Sequence, residues 1–149
     1  IFNKMKFLFD IMGKNSILCG DIGAGQSAKI CNNMLLASTM IAVGESFKLG
    51  KNLGLDLQNL FNVLSTSSGS CWAINTYCPI KGVGPESPSD KDYKGGFSTE
   101  LMFKDLSLAM DAIKETGTSI DYGLKTFKKF EKLIHNGKGK LDFSIIVNQ

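Results

Sequence analysis

The chain has 149 residues, 43% of them hydrophobic and only three of them proline, enough to bury one core and matching a single globular domain. All 17 basic residues are lysines, nearly balanced by 14 carboxylates to a net charge of +3 that alternates in sign along the sequence. That balance argues against nucleic acid, whose readers use arginine on guanine and concentrate charge on one surface, and the uncharged run of 15 residues from Ile30 to Gly44 is too short and polar for a membrane span.

In chain order, Met5 to Met12 has helical character and stops at Gly13, after which Ser16-Ile17-Leu18-Cys19 reads as a short strand. A solitary strand cannot satisfy its own backbone hydrogen bonds, so this reading implies a sheet whose other strands lie upstream. The chain opens on Ile1 without a signal-peptide pattern, and residues 1–22 are expected to be the tail of a preceding domain.

From Ala24 to about Asn52 alanine, leucine and methionine run without proline, predicting one helix of some 25 to 28 residues, about 40 Å long. It is apolar around much of its circumference between Met34 and Phe47, so other helices are expected to surround it. Gly54 and then Asp56 read as a stop and a new cap, starting a short helix through Leu57, Leu60, Phe61 and Leu64 that closes at Ser65 to Gly69. Residues Asn75 to Gly96 hold all three prolines and form a long irregular segment, which the flanking Trp72, Tyr77, Tyr93 and Phe97 mark as ordered.

Ser98 or Thr99 can cap a helix through Leu101, Lys104, Leu108, Ala112 and Ile113 that stops at Gly117. Ser119 or Asp121 can cap another, with Leu124, Phe127, Phe130 and Ile134 at helical spacing before Gly137. The tail, Leu141 to Val147, is short helix or strand. The sum is an all-α bundle around one long central helix, with a helix-strand remnant at the front.

Cys19, Cys31, Cys71 and Cys78 show no CxxC spacing and lie far from His135, the lone histidine, so no zinc site is expected. Cys19 and Cys31 fall among apolar residues and read as buried, reduced thiols. Lys125, Lys128, Lys129 and Lys132 read as a solvated helix face.

The run Gly23-Ala24-Gly25-Gln26-Ser27-Ala28 literally matches the GxGxxG/A dinucleotide fingerprint. A true fingerprint belongs to a βαβ unit, with a second strand ending in an acidic residue. Here the helix continues, and Glu45, the only acid at a suitable distance, lies inside it. What remains is a helix start that presents Lys29, with Asn33 one turn on along the same face.

The segment Gly23-x-Gly25-Gln26-x-x-Lys29-x-x-Asn32-Asn33 resembles the catalytic signature of the β-hydroxyacid dehydrogenase family. Gly54-Leu55-Asp56, Ser67-Ser68-Gly69-x-Cys71-Trp72 with Tyr77-x-Pro79, and Gly95-Gly96-Phe97 leading to Leu101-x-x-Lys104-Asp105-Leu106-x-Leu108-Ala109 extend the resemblance from about Met12 to Ile146. Ser70 stands where related sequences carry arginine.

The resemblance implies a two-domain oxidoreductase: residues 1–22 end an N-terminal Rossmann domain, and residues 23–149 form the all-helical domain that completes the cleft and the oligomer. It implies hydride transfer from a small hydroxyacid to NAD, NADP remaining an alternative, with Lys29 exchanging the hydroxyl proton. The motifs favour 3-hydroxyisobutyrate, oxidised to methylmalonate semialdehyde in valine breakdown. Asn33, Gly25 and Phe97 would serve the substrate, and Lys104 and Asp105 the cofactor. The partners implied are the chain's own Rossmann domain and further copies, as a homodimer or homotetramer, in the mitochondrial matrix of a eukaryote or the cytoplasm otherwise. Tartronate semialdehyde, glyoxylate and succinic semialdehyde reductases are the rival enzymes, and a non-catalytic helical oligomerisation module is the rival of another class.

Overall fold

A computed structural model describes residues 1–149, and its regular elements are all helical. The longest, α2 (Ala24–Asn52, 29 residues), starts after Gly23, whose φ of 93° is the left-handed conformation that glycine adopts without strain. Its buried positions, Asn33, Ala37, Met40, Val43, Gly44, Phe47 and Gly50, recur every three or four residues and form one stripe. Burying Met40 and Phe47 contributes about 1.5 to 3 kcal/mol each.

Against that stripe pack α3 (Leu57–Thr66), α4 (Trp72–Asn75), α5 (Thr99–Thr116) and α6 (Tyr122–His135). Local signals set their ends. The Asp56 carboxylate accepts the Asn59 N–H at 2.8 Å and the Ser98 hydroxyl accepts the Leu101 N–H at 3.3 Å, while Gly117 and Gly137 follow the ends of α5 and α6 with positive φ. The long segment between α4 and α5 is ordered around a 3-10 turn, Pro88–Lys91, closed by a reciprocal Ser87–Asp90 capping box. The tail is a 3-10 helix, Phe143–Asn148, preceded by a single antiparallel bridge between Asp142 and Ser98.

Four expectations need correction. Residues 16–19 form no strand: no partner strand is present, and Ile17 and Leu18 are exposed. α2 is covered along one stripe rather than surrounded, and its Leu35 and Leu49 are more than half exposed. Cys19 and Cys31 are exposed, Cys19 because nothing packs on its segment and Cys31 because it lies off the α2 stripe. On α6 the buried positions are Gly123, Thr126, Phe130 and Leu133, leaving Leu124 outward. The front helix, α1 (Phe2–Met12), has no buried residue and packs on no other element.

At Gly44 the tail crosses α2 so closely that a Cβ would stand 2.6 Å from Val147 Cβ and 3.1 Å from its Cα. Gly44→Ala is therefore expected to lower stability by about 1 to 2 kcal/mol, overpacking outweighing the ~1 kcal/mol helix-propensity gain. Urea unfolding measures it, and a raised midpoint would show that the tail is not seated on α2.

Candidate active site

Lys29 and Asn33 are one turn apart on α2, and both reach the same carboxylate on α5. The Lys29 ammonium lies 3.1 Å from each oxygen of Asp105. The Asn33 amide donates to Oδ2 at 2.7 Å, and the Lys104 ammonium stands 3.3 Å from Oδ1. Asp105 lies on the inward face of α5 with Met102, Leu106 and Ala109, which explains its burial.

The carboxylate side chain is only 1% exposed, whereas Lys29 and Lys104 are 57% and 58% exposed. The anion is thus sealed beneath two cations whose outer sides face solvent. Burial alone would raise the Asp105 pKa, but the hydrogen bonds from Lys29, Asn33 and Lys104 outweigh it and hold the group below the usual carboxylate range. One carboxylate and two ammonium groups leave a local charge of +1.

Asn33 also opens onto a groove of about 250 Å³, whose other walls are Leu36, Trp72, Tyr77, Phe97 and Phe143. The aromatic rings support one another: Trp72 stacks on Tyr77 at 4.9 Å, Tyr77 on Phe143 at 5.8 Å, and Phe97 meets Phe143 edge-on at 5.9 Å. A larger groove of about 460 Å³ shares Leu36 and Trp72 but is lined by none of Lys29, Asn33, Lys104 and Asp105. The smaller one is the better candidate because it shares Asn33 with the charged cluster.

The fold therefore gathers Lys29, Asn33, Lys104 and Asp105 into one contact network and places Phe97 across the groove from Asn33. Gly25 lies one turn before Lys29 on α2, with open space where a side chain would be. Asp105, buried under the cluster, faces Lys29 and Asn33. Leu36 and Phe143 in the groove wall went unnoticed in the sequence, where they look like ordinary core positions.

A family model described as the NAD-binding region of NADP-dependent 3-hydroxyisobutyrate dehydrogenase matches residues 23–149. A probable 3-hydroxyisobutyrate dehydrogenase of Mycobacterium tuberculosis is 46% identical over 137 residues, covering 92% of this chain and 46% of that protein. The mitochondrial 3-hydroxyisobutyrate dehydrogenase of Mus musculus is 46% identical over 139 residues, covering 93% of this chain and 42% of its own length. The solved structure of the Mycobacterium tuberculosis 3-hydroxyisobutyrate dehydrogenase with L-serine superimposes with a TM-score of 0.92 at 43% identity, over 99% of this chain and 50% of that one.

These similarities are to proteins named as dehydrogenases, and they agree on both sequence and helical fold. It belongs to the 3-hydroxyisobutyrate dehydrogenase family, and it spans about half the length of the relatives it matches. The matched region is a nicotinamide-dinucleotide-binding one, in agreement with the NAD read from the sequence.

The residues present fit an anionic dinucleotide. Lys104 offers an exposed ammonium group of the kind that pairs with phosphate, the carboxylate beside it is turned inward, and no side chain obstructs the helix start at Gly23 and Gly25.

Because the folded-state pKa of Asp105 is depressed, its contribution to stability is present above the unfolded value of about 3.9 and is lost as pH falls through the lower folded value. Asp105→Asn should therefore narrow its stability gap to wild type between pH 6 and pH 3. Urea midpoints across that range read the effect, and a pH-independent gap would contradict it.

Proposed function

We propose that the complete protein is an NAD-dependent 3-hydroxyisobutyrate dehydrogenase in which Lys29 exchanges the substrate's hydroxyl proton. The observation that carries this reading is the amine of Lys29 held by a buried carboxylate, with Asn33 linking the pair to an aromatic-walled groove. In this proposal residues 23–149 are the helical catalytic domain and residues 1–22 close a dinucleotide domain supplied by the rest of the protein. The exposed Phe7, Ile11, Met12, Ile17, Leu18 and Ile22 support such a cover over the front segment.

Bound NAD supplies the ring that accepts hydride from the alcohol carbon. Lys29 Nζ, in the neutral form left when it has released a proton to solvent, takes the proton of the alcohol oxygen as the carbonyl forms, and returns it in the reverse direction. The Asp105 carboxylate stabilises the ammonium so formed and restricts the swing of the lysine chain. Asn33, tied to Asp105 at 2.7 Å, fixes the carboxylate, and its second amide hydrogen is left to donate to a substrate oxygen. Lys104 pairs with the cofactor's phosphates, and Phe97, Trp72 and Tyr77 face the substrate's carbon branch.

The small apolar groove supports a methyl-bearing acid over the hydroxyl-bearing substrates of tartronate semialdehyde reductases. L-serine, present with the Mycobacterium tuberculosis relative, shares the hydroxymethyl group beside a carbon that bears a carboxylate. A second copy of the protein would cover Leu49 near the end of α2 and Leu53 just beyond it, both exposed.

In the complete protein, Lys29→Ala should lower kcat by about 10² to 10⁴ with the KM for NAD little changed. A loss smaller than about tenfold would sink the proton-transfer role. Lys104→Ala should instead raise the KM for NAD, since its phosphate contact is made in ground and transition state alike. Wild-type preference for tartronate semialdehyde over 3-hydroxyisobutyrate as the substrate pair would replace the proposed substrate.

A further inference from the structure

A second buried carboxylate stands behind the aromatic wall of the groove. Asp142 is fully buried and accepts four hydrogen bonds. Its Oδ2 receives the Tyr77 hydroxyl and the Phe97 backbone N–H, both at 2.8 Å, and its Oδ1 receives the Ser144 N–H at 3.0 Å and the Ser144 hydroxyl at 2.6 Å. With four donors on two oxygens the anion is fully satisfied.

The two donors on Oδ2 belong to groove residues at opposite ends of the long segment between α4 and α5, Tyr77 just after α4 and Phe97 just before α5. Backbone bonds fix the same junction: Phe143 N–H to the Phe97 carbonyl, Thr99 N–H to the Leu141 carbonyl and Asp142 N–H to the Tyr93 carbonyl, each at 2.8 Å. Gly96, with φ of 72°, lets the chain pass so close that any side chain there would strike both Asp142 and the Tyr77 hydroxyl. Burial, and then the hydrogen bond and charge of Asp142, push the Tyr77 phenol upward, so it remains a protonated donor. Its hydroxyl is thereby engaged away from the groove, and the ring alone is presented to a ligand.

We propose that Asp142 is a positioning residue for the hydroxyacid: by holding the Tyr77 hydroxyl and the Phe97 backbone at one point, it sets the spacing and the apolar character of the groove wall that meets the substrate's carbon branch. The proposal rests on the groove being the substrate site. Asp142 touches no substrate and acts only through Tyr77 and Phe97.

The test is steady-state kinetics of the complete enzyme with NAD and 3-hydroxyisobutyrate, beside thermal melts. Tyr77→Phe removes one bond to Oδ2 and keeps the ring, Asp142→Asn disturbs both, and Ser144→Ala removes a bond to Oδ1 only. Tyr77→Phe and Asp142→Asn should raise the hydroxyacid KM about five- to tenfold, the scale of one lost hydrogen bond, while the KM for NAD stays within about twofold. Ser144→Ala should lower the melting temperature yet keep the hydroxyacid KM within about twofold of wild type.

A merely structural Asp142 would lower the active fraction, and so kcat, without moving either KM. That result, an unchanged hydroxyacid KM in Tyr77→Phe, or an equal rise in Ser144→Ala, would overturn the proposal. If Asp142→Asn does not fold, Tyr77→Phe decides alone. Failure here is separable from failure of the catalytic reading, which would appear as turnover retained in Lys29→Ala.

Discussion

A carboxylate sealed between α2 and α5 organises the site. Asp105 is almost wholly buried, and an unpaired anion there would be strongly destabilising, so its partners are fixed by necessity as much as by function. Lys29, Asn33 and Lys104 satisfy it from two helices. The same contacts that make burial tolerable therefore set where the Lys29 amine stands. A change in the packing of α5 against α2 would be felt at Lys29 Nζ.

A parallel arrangement holds the opposite wall. Asp142 links the tail to the Gly95-Gly96-Phe97 turn and to Tyr77, and the 3-10 helix behind it seats Val147 against Gly44 on α2. The groove is thus framed by two internal anions, one beneath the polar end and one behind the aromatic end. Neither is itself exposed to a ligand. Each converts a long-range backbone arrangement into a fixed side-chain position, which preorganises the groove between them.

Much of the helical frame was legible because its signals are local. Gly23, Asp56, Ser98, Gly117 and Gly137 mark helix ends within a residue or two of the chain they act on, and Lys29 and Asn33 share a face through simple i,i+4 spacing. The dinucleotide-like glycines were resolved correctly by the unbroken run of α2 beyond them. The inward role of Asp105 was not legible, because it lies 76 residues from Lys29 and sequence alone does not give the rotation of α5. Asp142 likewise gains its meaning only where residues 77, 97 and 144 converge. The strand expected at residues 16–19 and the buried state expected of Cys31 failed for a related reason: apolar residues indicate a tendency to be covered, and only tertiary contacts decide whether a cover exists.

The most direct measurement is a double-mutant cycle on kcat in the complete enzyme, with Lys29→Met, Asp105→Asn and the pair together. If Asp105 serves chemistry by holding Lys29, the two changes must be strongly non-additive, with the double variant no slower than Lys29→Met alone. Fully additive losses in log kcat would contradict the account, because they would mean that the buried carboxylate and the amine act independently.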